Sequence, residues 1–157
     1  MKLEKIIQEA ANMLGIEAPK KSANYRFLFR CANLVLSNIA CNYRDFVTEE
    51  IFDVKNGRID FSQFTETVLK IKDVSAPYEL FLNEIVVPNG MVAVKYAYIP
   101  VFKKATDRVF NEAIMLYGIM AEYADISGMG EDAKIYARRF EQLLFSQHCT
   151  GKTRRMP

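Results

Sequence analysis

The chain of 157 residues contains only one histidine and three cysteines. A histidine-rich metal site is therefore excluded, because His148 stands alone, and Cys31, Cys41 and Cys149 show none of the paired spacings of zinc ligands. If residues 24–44 form a helix, Cys31 and Cys41 lie about 15 Å apart, beyond the reach of a disulfide. We expect free cysteines, a reducing compartment, and no metal or other cofactor.

Long apolar runs and a strong excess of charge are also missing. No stretch approaches the roughly 18 uninterrupted apolar residues that a membrane-spanning helix needs. Glu4 and Glu9 interrupt the first apolar pattern, which argues against a signal peptide. A net charge of +2 does not by itself indicate nucleic-acid binding. Since 50% of the residues are hydrophobic, the chain can bury a core, and its length is typical of one domain.

Apolar residues recur at helical spacing in the first and last thirds of the chain. Gly15 is placed to end the first of these segments, because glycine readily adopts the left-handed conformation found after helices. The periodicity predicts four helices. They cover residues 3–14, 23–44, 106–127 and 131–147.

The middle of the chain alternates apolar and polar residues around two Asn-Gly pairs, which is the strongest short signal for a β-hairpin. A two-residue turn at Asn56-Gly57 pairs Val54 with Ile59 and places Asp53 opposite Asp60 on the other face. The residues expected on the buried face are Phe52, Val54, Ile59 and Phe61.

A two-residue turn at Asn89-Gly90 predicts a second hairpin, again with its apolar residues on one face. Its register pairs Glu84 with Lys95, two opposite charges directly across the ladder. A further strand is predicted within residues 66–74, where apolar residues alternate with lysines. The expected buried face of the second hairpin carries Phe81, Ile85, Val87, Val92, Val94, Tyr96 and Tyr98.

These elements predict an α+β fold, in which a helical bundle of about four helices carries an inserted antiparallel β-hairpin sheet of about five strands. We expect a single domain over residues 1–157. Its helical lobe comprises 1–45 plus 104–148, its β insert 46–100, and its basic C-terminal tail 149–157.

The Gly-x-Gly at Gly128 to Gly130 follows a helix rather than a strand and lacks the lysine of a phosphate-binding loop. It is better explained as a corner between two helices, with Glu131 and Asp132 favouring the dipole of the second helix. His148 and Cys149 do not make a nucleophilic pair, because no third group orients them. We predict no catalytic residue, and therefore no enzyme.

Two acid pairs leave alternatives open. Asp53 and Asp60 either share a cation or belong to a solvated face screened by Lys55 and Arg58. Glu122 and Asp125 lie three apart on a helix and are explained by a salt-bridged or solvated helix edge.

Basic residues supply the candidate partner-binding positions. Lys103 and Lys104 follow the β region, and Lys152, Arg154 and Arg155 lie in the tail. A short basic tail either docks onto an acidic partner or is disordered, and the sequence does not decide between the two.

Five short motifs in the second half of the chain carry a resemblance. They are Tyr96–Pro100, Tyr117-Gly118, Glu122-Tyr123, Gly128–Gly130 and Arg139-Phe140-Glu141. Together they resemble the C-terminal part of tailed-phage head–tail adaptor proteins, of the tail-tubular-protein A and head-completion type. The motifs cover about one third of the chain, and the order of helices, β insert and helices agrees with that family. The β insert is short for such a protein.

The resemblance implies a virion structural protein that forms a ring between the portal and the tail, located in the virion neck and assembled in the host cytoplasm. Its partners would be portal and tail proteins, residues 146–157 would become ordered on docking, and DNA would pass through without sequence recognition. The alternative is a non-viral intracellular protein–protein interaction module without catalysis. A small enzyme using acids of the β insert is a third hypothesis.

Overall fold

The computed structural model describes the backbone of residues 1–155 and the side chains of residues 1–146. Helices and antiparallel strands are both present, so the predicted α+β class is confirmed. The chain divides into two compact units, Met1–Leu36 with Val101–Pro157 and Ser37–Pro100. The helices are α1 (Leu3–Leu14), α2 (Ala23–Asn42), α3 (Glu112–Ile126) and α4 (Gly130–Arg155).

The unit Ser37–Pro100 contains two small antiparallel sheets, with strand orders β1-β6-β3 and β2-β5-β4. A single turn of 3-10 helix, Phe61–Gln63, follows the second strand. The strands are β1 (Phe46–Val54), β2 (Arg58–Asp60), β3 (Thr67–Val74), β4 (Glu79–Leu80), β5 (Glu84–Val86) and β6 (Gly90–Ile99).

The two sheets are built from the same three stretches of chain in the same order: 46–60, 84–99 and 67–80. In the ladders β1–β6 and β2–β5, the residue numbers of each pair, such as 46 with 98 or 60 with 84, add to 144. The register therefore continues from one sheet to the next. The first two stretches behave as one long antiparallel ribbon that is interrupted at 55–57 and 87–89.

Proline accounts for these interruptions, because it has no N–H to donate to a ladder. Pro88 lies in the gap between β5 and β6, and Pro77 lies in the gap between β3 and β4. The two Asn-Gly sites meet across the gap: the Gly57 N–H donates to Asn89 Oδ1 at 2.8 Å. The Val87 N–H in turn donates to the Gly57 carbonyl at 3.0 Å.

The predicted pairing within both hairpins is wrong, although the predicted faces are largely right. Val54 pairs with Gly90 rather than Ile59, and Ile59 pairs with Ile85. Glu84 lies opposite Asp60, and Lys95 lies opposite Glu49 and Asp73, so the predicted Glu84–Lys95 pair does not form. Alternation decides which side chains are buried, but it does not decide which strand is the neighbour.

The core of this unit collects inward side chains from both sheets. Tyr96 lies at its centre, with no exposed surface and its ring 4.7 Å from that of Phe64. Phe81 is the exception to the predicted face, since half of it is exposed. The buried members are Val54, Ile59, Phe64, Ile85, Val87, Val92, Val94 and Tyr96, with Phe52, Phe61 and Tyr98 packed against them.

In the helical unit, α1 ends at Gly15, as predicted, with φ at 71°. The predicted start of α3 at residue 106 is wrong, because α3 begins after Asn111, whose side chain accepts a hydrogen bond from the Ile114 N–H at 2.9 Å. The residues before it contain a bend and turn at 104–106 and an isolated bridge between Arg108 and Lys2, and they fasten the start of α1. The Leu3 N–H donates to the Asp107 carbonyl, and the Glu4 N–H to the Ala105 carbonyl, both at 2.9 Å.

The corner between α3 and α4 is confirmed. Gly128 adopts a φ of 77°, and the Met129 N–H donates to the Ala124 carbonyl at 2.8 Å. Gly118 is where α3 crosses its neighbours closely, because a Cβ on it would lie 2.7 Å from Val35 Cγ1 and 3.0 Å from Phe140 Cε2. Only glycine fits this crossing without displacing a side chain.

The last helix was predicted to end at residue 147, before the basic tail, and this prediction is wrong. α4 continues to Arg155. Lysine and arginine are good helix formers, and positive charge near a helix C-terminus favours its dipole. Among the helices in the described part of the chain, none is long and apolar enough to cross a membrane.

Candidate functional site

The most conspicuous exposed apolar feature is the tip of the hairpin that joins β4 to β5. Leu80, Phe81 and Leu82 are consecutive, and their exposed fractions are 57%, 51% and 90%. A run of large apolar side chains in water is unfavourable for an isolated protein and is typical of interaction sites. We therefore treat residues 80–82, called the hairpin tip below, as the candidate interaction site.

Backbone hydrogen bonds hold the hairpin tip in one shape. The Phe81 N–H donates to the Glu84 carbonyl at 2.9 Å and closes the loop. The Phe61 N–H donates to the Asn83 carbonyl at 3.0 Å and ties the loop to the 3-10 turn. A loop that is already ordered loses less conformational entropy on binding, so this apolar surface is suited to docking.

Acidic residues flank the hairpin tip, and Arg58 of β2 lies 3.7 Å from one of them, Glu84. The sequence has no lysine or arginine between Asp73 and Lys95, whereas Glu79 and Glu84 flank the tip. Phosphate groups of nucleic acids or lipid surfaces favour basic residues. The acids beside the tip therefore do not favour either of these anionic surfaces.

A polar cluster inside the β unit joins two strands to the segment that follows the 3-10 turn. Glu50 accepts a hydrogen bond from Thr65 Oγ1 at 2.6 Å, from the Thr65 N–H at 3.1 Å, and from the Tyr96 hydroxyl. The Tyr96 hydroxyl also accepts from the Glu66 N–H at 3.4 Å. These bonds tie the residues after the 3-10 turn to β1 and β6.

The cluster changes the acidity of both ionisable groups. Partial burial acts to raise the pKa of Glu50, but the hydrogen bonds from Thr65 and Tyr96 outweigh it and hold that pKa below its ordinary value. Burial, together with the hydrogen bond to Glu50, raises the pKa of Tyr96 to about 12. A carboxylate that is ionised and a phenol that is protonated describe a structural clamp, since neither is poised for proton transfer near neutral pH.

The expected opposition of Asp53 and Asp60 does not occur. Asp53 lies opposite Met91 and 3.9 Å from Lys55 Nζ, and Asp60 caps the 3-10 turn by accepting from the Ser62 N–H at 3.0 Å. Both line an open groove of about 720 Å³. Among the residues that the structure describes, no group of three His, Cys, Asp or Glu side chains could hold a metal ion.

The second acid pair lies on α3. Burial, with a smaller contribution from Asp125, raises the pKa of Glu122. Burial also raises the pKa of the Cys31 thiol to about 12, so this cysteine is inert at neutral pH. Cys31 and Cys41 are both free, as predicted. The side chains of His148 and Cys149 lie outside the described residues.

The structure describes the side chains of only two of the five predicted basic partner-binding residues, Lys103 and Lys104. The backbone N–H groups of Lys103 and Lys104 donate to Asp107 Oδ2 at 2.8 and 3.1 Å, which leaves both side chains exposed. The side chains of Lys152, Arg154 and Arg155 lie outside the described residues, and only their place in the backbone of α4 is given.

The alternation of apolar and polar residues places Phe81 on the buried face, so the sequence does not predict an exposed hairpin tip. The available signal was the run Leu80-Phe81-Leu82, since three consecutive large apolar residues cannot all point inward from a strand. Asn83 directly after the run also favours a turn at this position.

Comparison with known proteins gives no relative from which a function could be transferred. No protein-family model matches the chain, and no curated protein sequence matches it significantly.

Proposed function

We propose that this protein is a head–tail adaptor of a tailed phage or prophage, which forms a ring between the portal and the tail and has no catalytic role. The proposal starts from the resemblance of five motifs to such adaptors. It draws further support from the exposed apolar side chains of the hairpin tip, which offer a surface for docking.

The observation that carries the proposal is that motif positions of α3 and α4 pack against each other. The Arg139 guanidinium lies over the Tyr117 ring, with its carbon 5.9 Å from the ring centroid. Gly118 lets Phe140 approach closely, and Gly128 forms the corner that connects the two helices. The residues that carry the resemblance therefore form one packing motif. This is expected if their role is to hold two helices together rather than to catalyse a reaction.

The hairpin tip supplies the docking feature that an adaptor needs. Ring assemblies repeat a modest contact many times, so that avidity replaces a single strong interface. Complete burial of an exposed side chain of this size contributes about 1.5–3 kcal/mol. Leu80 and Phe81 are already about half buried, so they would contribute less than Leu82. Such a contact is substantial when it is repeated around a ring, yet weak enough to leave a free subunit soluble.

Co-sedimentation with a tailed-phage portal protein tests the proposal. The full chain is expected to sediment with the portal ring. Leu82→Asp is expected to reduce that binding at least tenfold while leaving the melting temperature unchanged, because 90% of the Leu82 side chain is already exposed. Leu34→Asp, which changes a side chain that is 45% exposed on α2, is the matched control.

Removal of residues 150–157 tests the expectation that the C-terminal segment docks. We expect the shortened chain to melt at the same temperature and to bind the portal more weakly. Full binding by the shortened chain would refute the role of this segment. An intact chain that never binds the portal, encoded among metabolic rather than virion genes, would refute the adaptor function itself.

A further inference from the structure

One edge of the larger sheet lacks the lysines, prolines and bulges that often prevent a strand from pairing with another chain. β1 is the outer strand in the order β1-β6-β3, and its sequence FVTEEIFDV contains no lysine or proline. Its ladder with β6 has no register shift over nine consecutive pairs. The opposite edge strand, β3, carries Lys70 and Lys72 and two register shifts. Lysines and bulges protect an edge, so β3 is protected and β1 is not.

Hydrogen bonding on β6 determines which backbone groups of β1 face outward. Both backbone groups of Ala93 are directed to the β3 side, since its carbonyl accepts from the Ser75 N–H and its N–H donates to Ser75 Oγ, each at 2.9 Å. Ile51 is the partner of Ala93 on β1. In an antiparallel ladder such a pair is not hydrogen bonded, so the N–H and C=O of Ile51 point away from β6.

The same argument applies to every second residue of β1, because hydrogen-bonded and non-hydrogen-bonded pairs alternate. The outward backbone groups therefore belong to Val47, Glu49, Ile51 and Asp53. Their side chains are all exposed, and that of Ile51 is 66% exposed. Along this edge an apolar residue alternates with an acid: valine, glutamate, isoleucine, aspartate.

We propose that the free edge of β1 accepts an extended segment of a partner protein, in which basic and apolar residues alternate at every second position. Such a segment would form backbone hydrogen bonds with Val47, Glu49, Ile51 and Asp53. On the shared face its basic side chains would lie beside Glu49 and Asp53, and its apolar side chains beside Val47 and Ile51. The inference is independent of the adaptor function.

Charge favours this partner over a second copy of the chain. β1 carries three acids, Glu49, Glu50 and Asp53, and no base. Two β1 strands placed side by side would bring Glu49 and Asp53 of both copies together on the exposed face, and like charges across a ladder are destabilising. A basic segment converts the same acids into attractive contacts.

The test uses the full chain and the probe peptide Thr-Lys-Thr-Val-Thr-Lys-Thr-Val-Thr, whose lysines and valines share one face. Fluorescence anisotropy measures binding, and amide hydrogen exchange by NMR locates it. We expect the peptide to slow exchange of the amides of Val47, Glu49, Ile51 and Asp53. The amides of Thr48 and Phe52, which already face β6, should be unchanged. The matched control peptide carries glutamate in place of lysine and is expected to bind at least tenfold more weakly.

Two variants separate the edge from the rest of the fold. Ile51→Pro removes an N–H that faces outward and should abolish peptide binding without breaking the ladder to β6. The double variant Glu49→Lys with Asp53→Lys keeps the backbone and should reverse the preference between the two peptides. Unchanged exchange at the outward amides with either peptide would overturn the proposal. Sedimentation showing a β1-mediated dimer that the lysine peptide does not dissociate would overturn it in favour of a second copy.

Discussion

Replacing Gly118 by alanine should destabilise the helical unit, although alanine is the better helix former. The new methyl group would lie 2.7 Å from Val35 Cγ1, 2.9 Å from Val35 Cγ2 and 3.0 Å from Phe140 Cε2. Overpacking of this kind costs about 1–3 kcal/mol. Alanine recovers about 1 kcal/mol through helix propensity. The net expectation is a loss of up to about 2 kcal/mol in the free energy of unfolding.

A double-mutant cycle isolates the steric contribution. Val35→Ala removes both Cγ atoms that the new methyl group would meet, so Gly118→Ala in that background should be neutral or stabilising by up to about 1 kcal/mol. The assay is urea unfolding followed by helical circular dichroism. Gly130→Ala is the matched control, because nothing lies within 4 Å of the added Cβ. The reasoning is refuted if Gly118→Ala stabilises the native chain as much as Gly130→Ala does.

Three further outcomes follow from single positions. Gly128→Val should lower the free energy of unfolding by about 1–2 kcal/mol, because a branched side chain is strained at positive φ; an unchanged urea midpoint would contradict this. Glu50 has a lowered pKa, so its stabilisation is present above its ordinary value of 4.5 and is lost as the pH falls through the folded value. Glu50→Gln should reduce the loss of unfolding free energy at acid pH, as measured by urea titrations at several pH values. An unchanged pH profile would refute the stabilising role of Glu50. Tyr96→Phe should destabilise at neutral pH, because it removes the hydroxyl that donates to Glu50 and accepts from the Glu66 N–H; thermal melting checks this.

Side-chain patterns in this chain predict local structure well. Gly15 and Gly128 end helices because glycine alone adopts their positive φ without strain, and both were identified from the sequence. The inward faces of the strands were identified for the same kind of local reason. Alternation with a period of two follows from the geometry of one strand and needs no knowledge of its neighbour.

Strand pairing is a nonlocal property, and the pairings predicted from the two Asn-Gly turns are wrong. Asn56-Gly57 and Asn89-Gly90 favour tight turns, but here they lie beside each other across a ribbon, joined by the hydrogen bond from the Gly57 N–H to Asn89 Oδ1. Pro88 interrupts the strand beside one of them, so the ladder breaks without the chain turning back. The pattern within residues 46–60 cannot reveal that residues 84–98, which are distant in sequence, pair with them in one continuous register.

The candidate site was not predictable from the sequence by the same reasoning. Phe81 satisfies the alternation of a buried face but lies at a loop tip, where no opposite sheet covers it. Exposure depends on what packs against a residue, and only the fold supplies that information. Lys103 and Lys104, in contrast, were expected at the surface and are exposed there.

Electron microscopy of the purified portal protein mixed with the full chain tests the adaptor function most directly. The adaptor function predicts a ring of additional density on one end of the portal, which is weakened by Leu82→Asp and retained by Leu34→Asp. Portal particles that stay unchanged at saturating concentrations of the folded chain would contradict it.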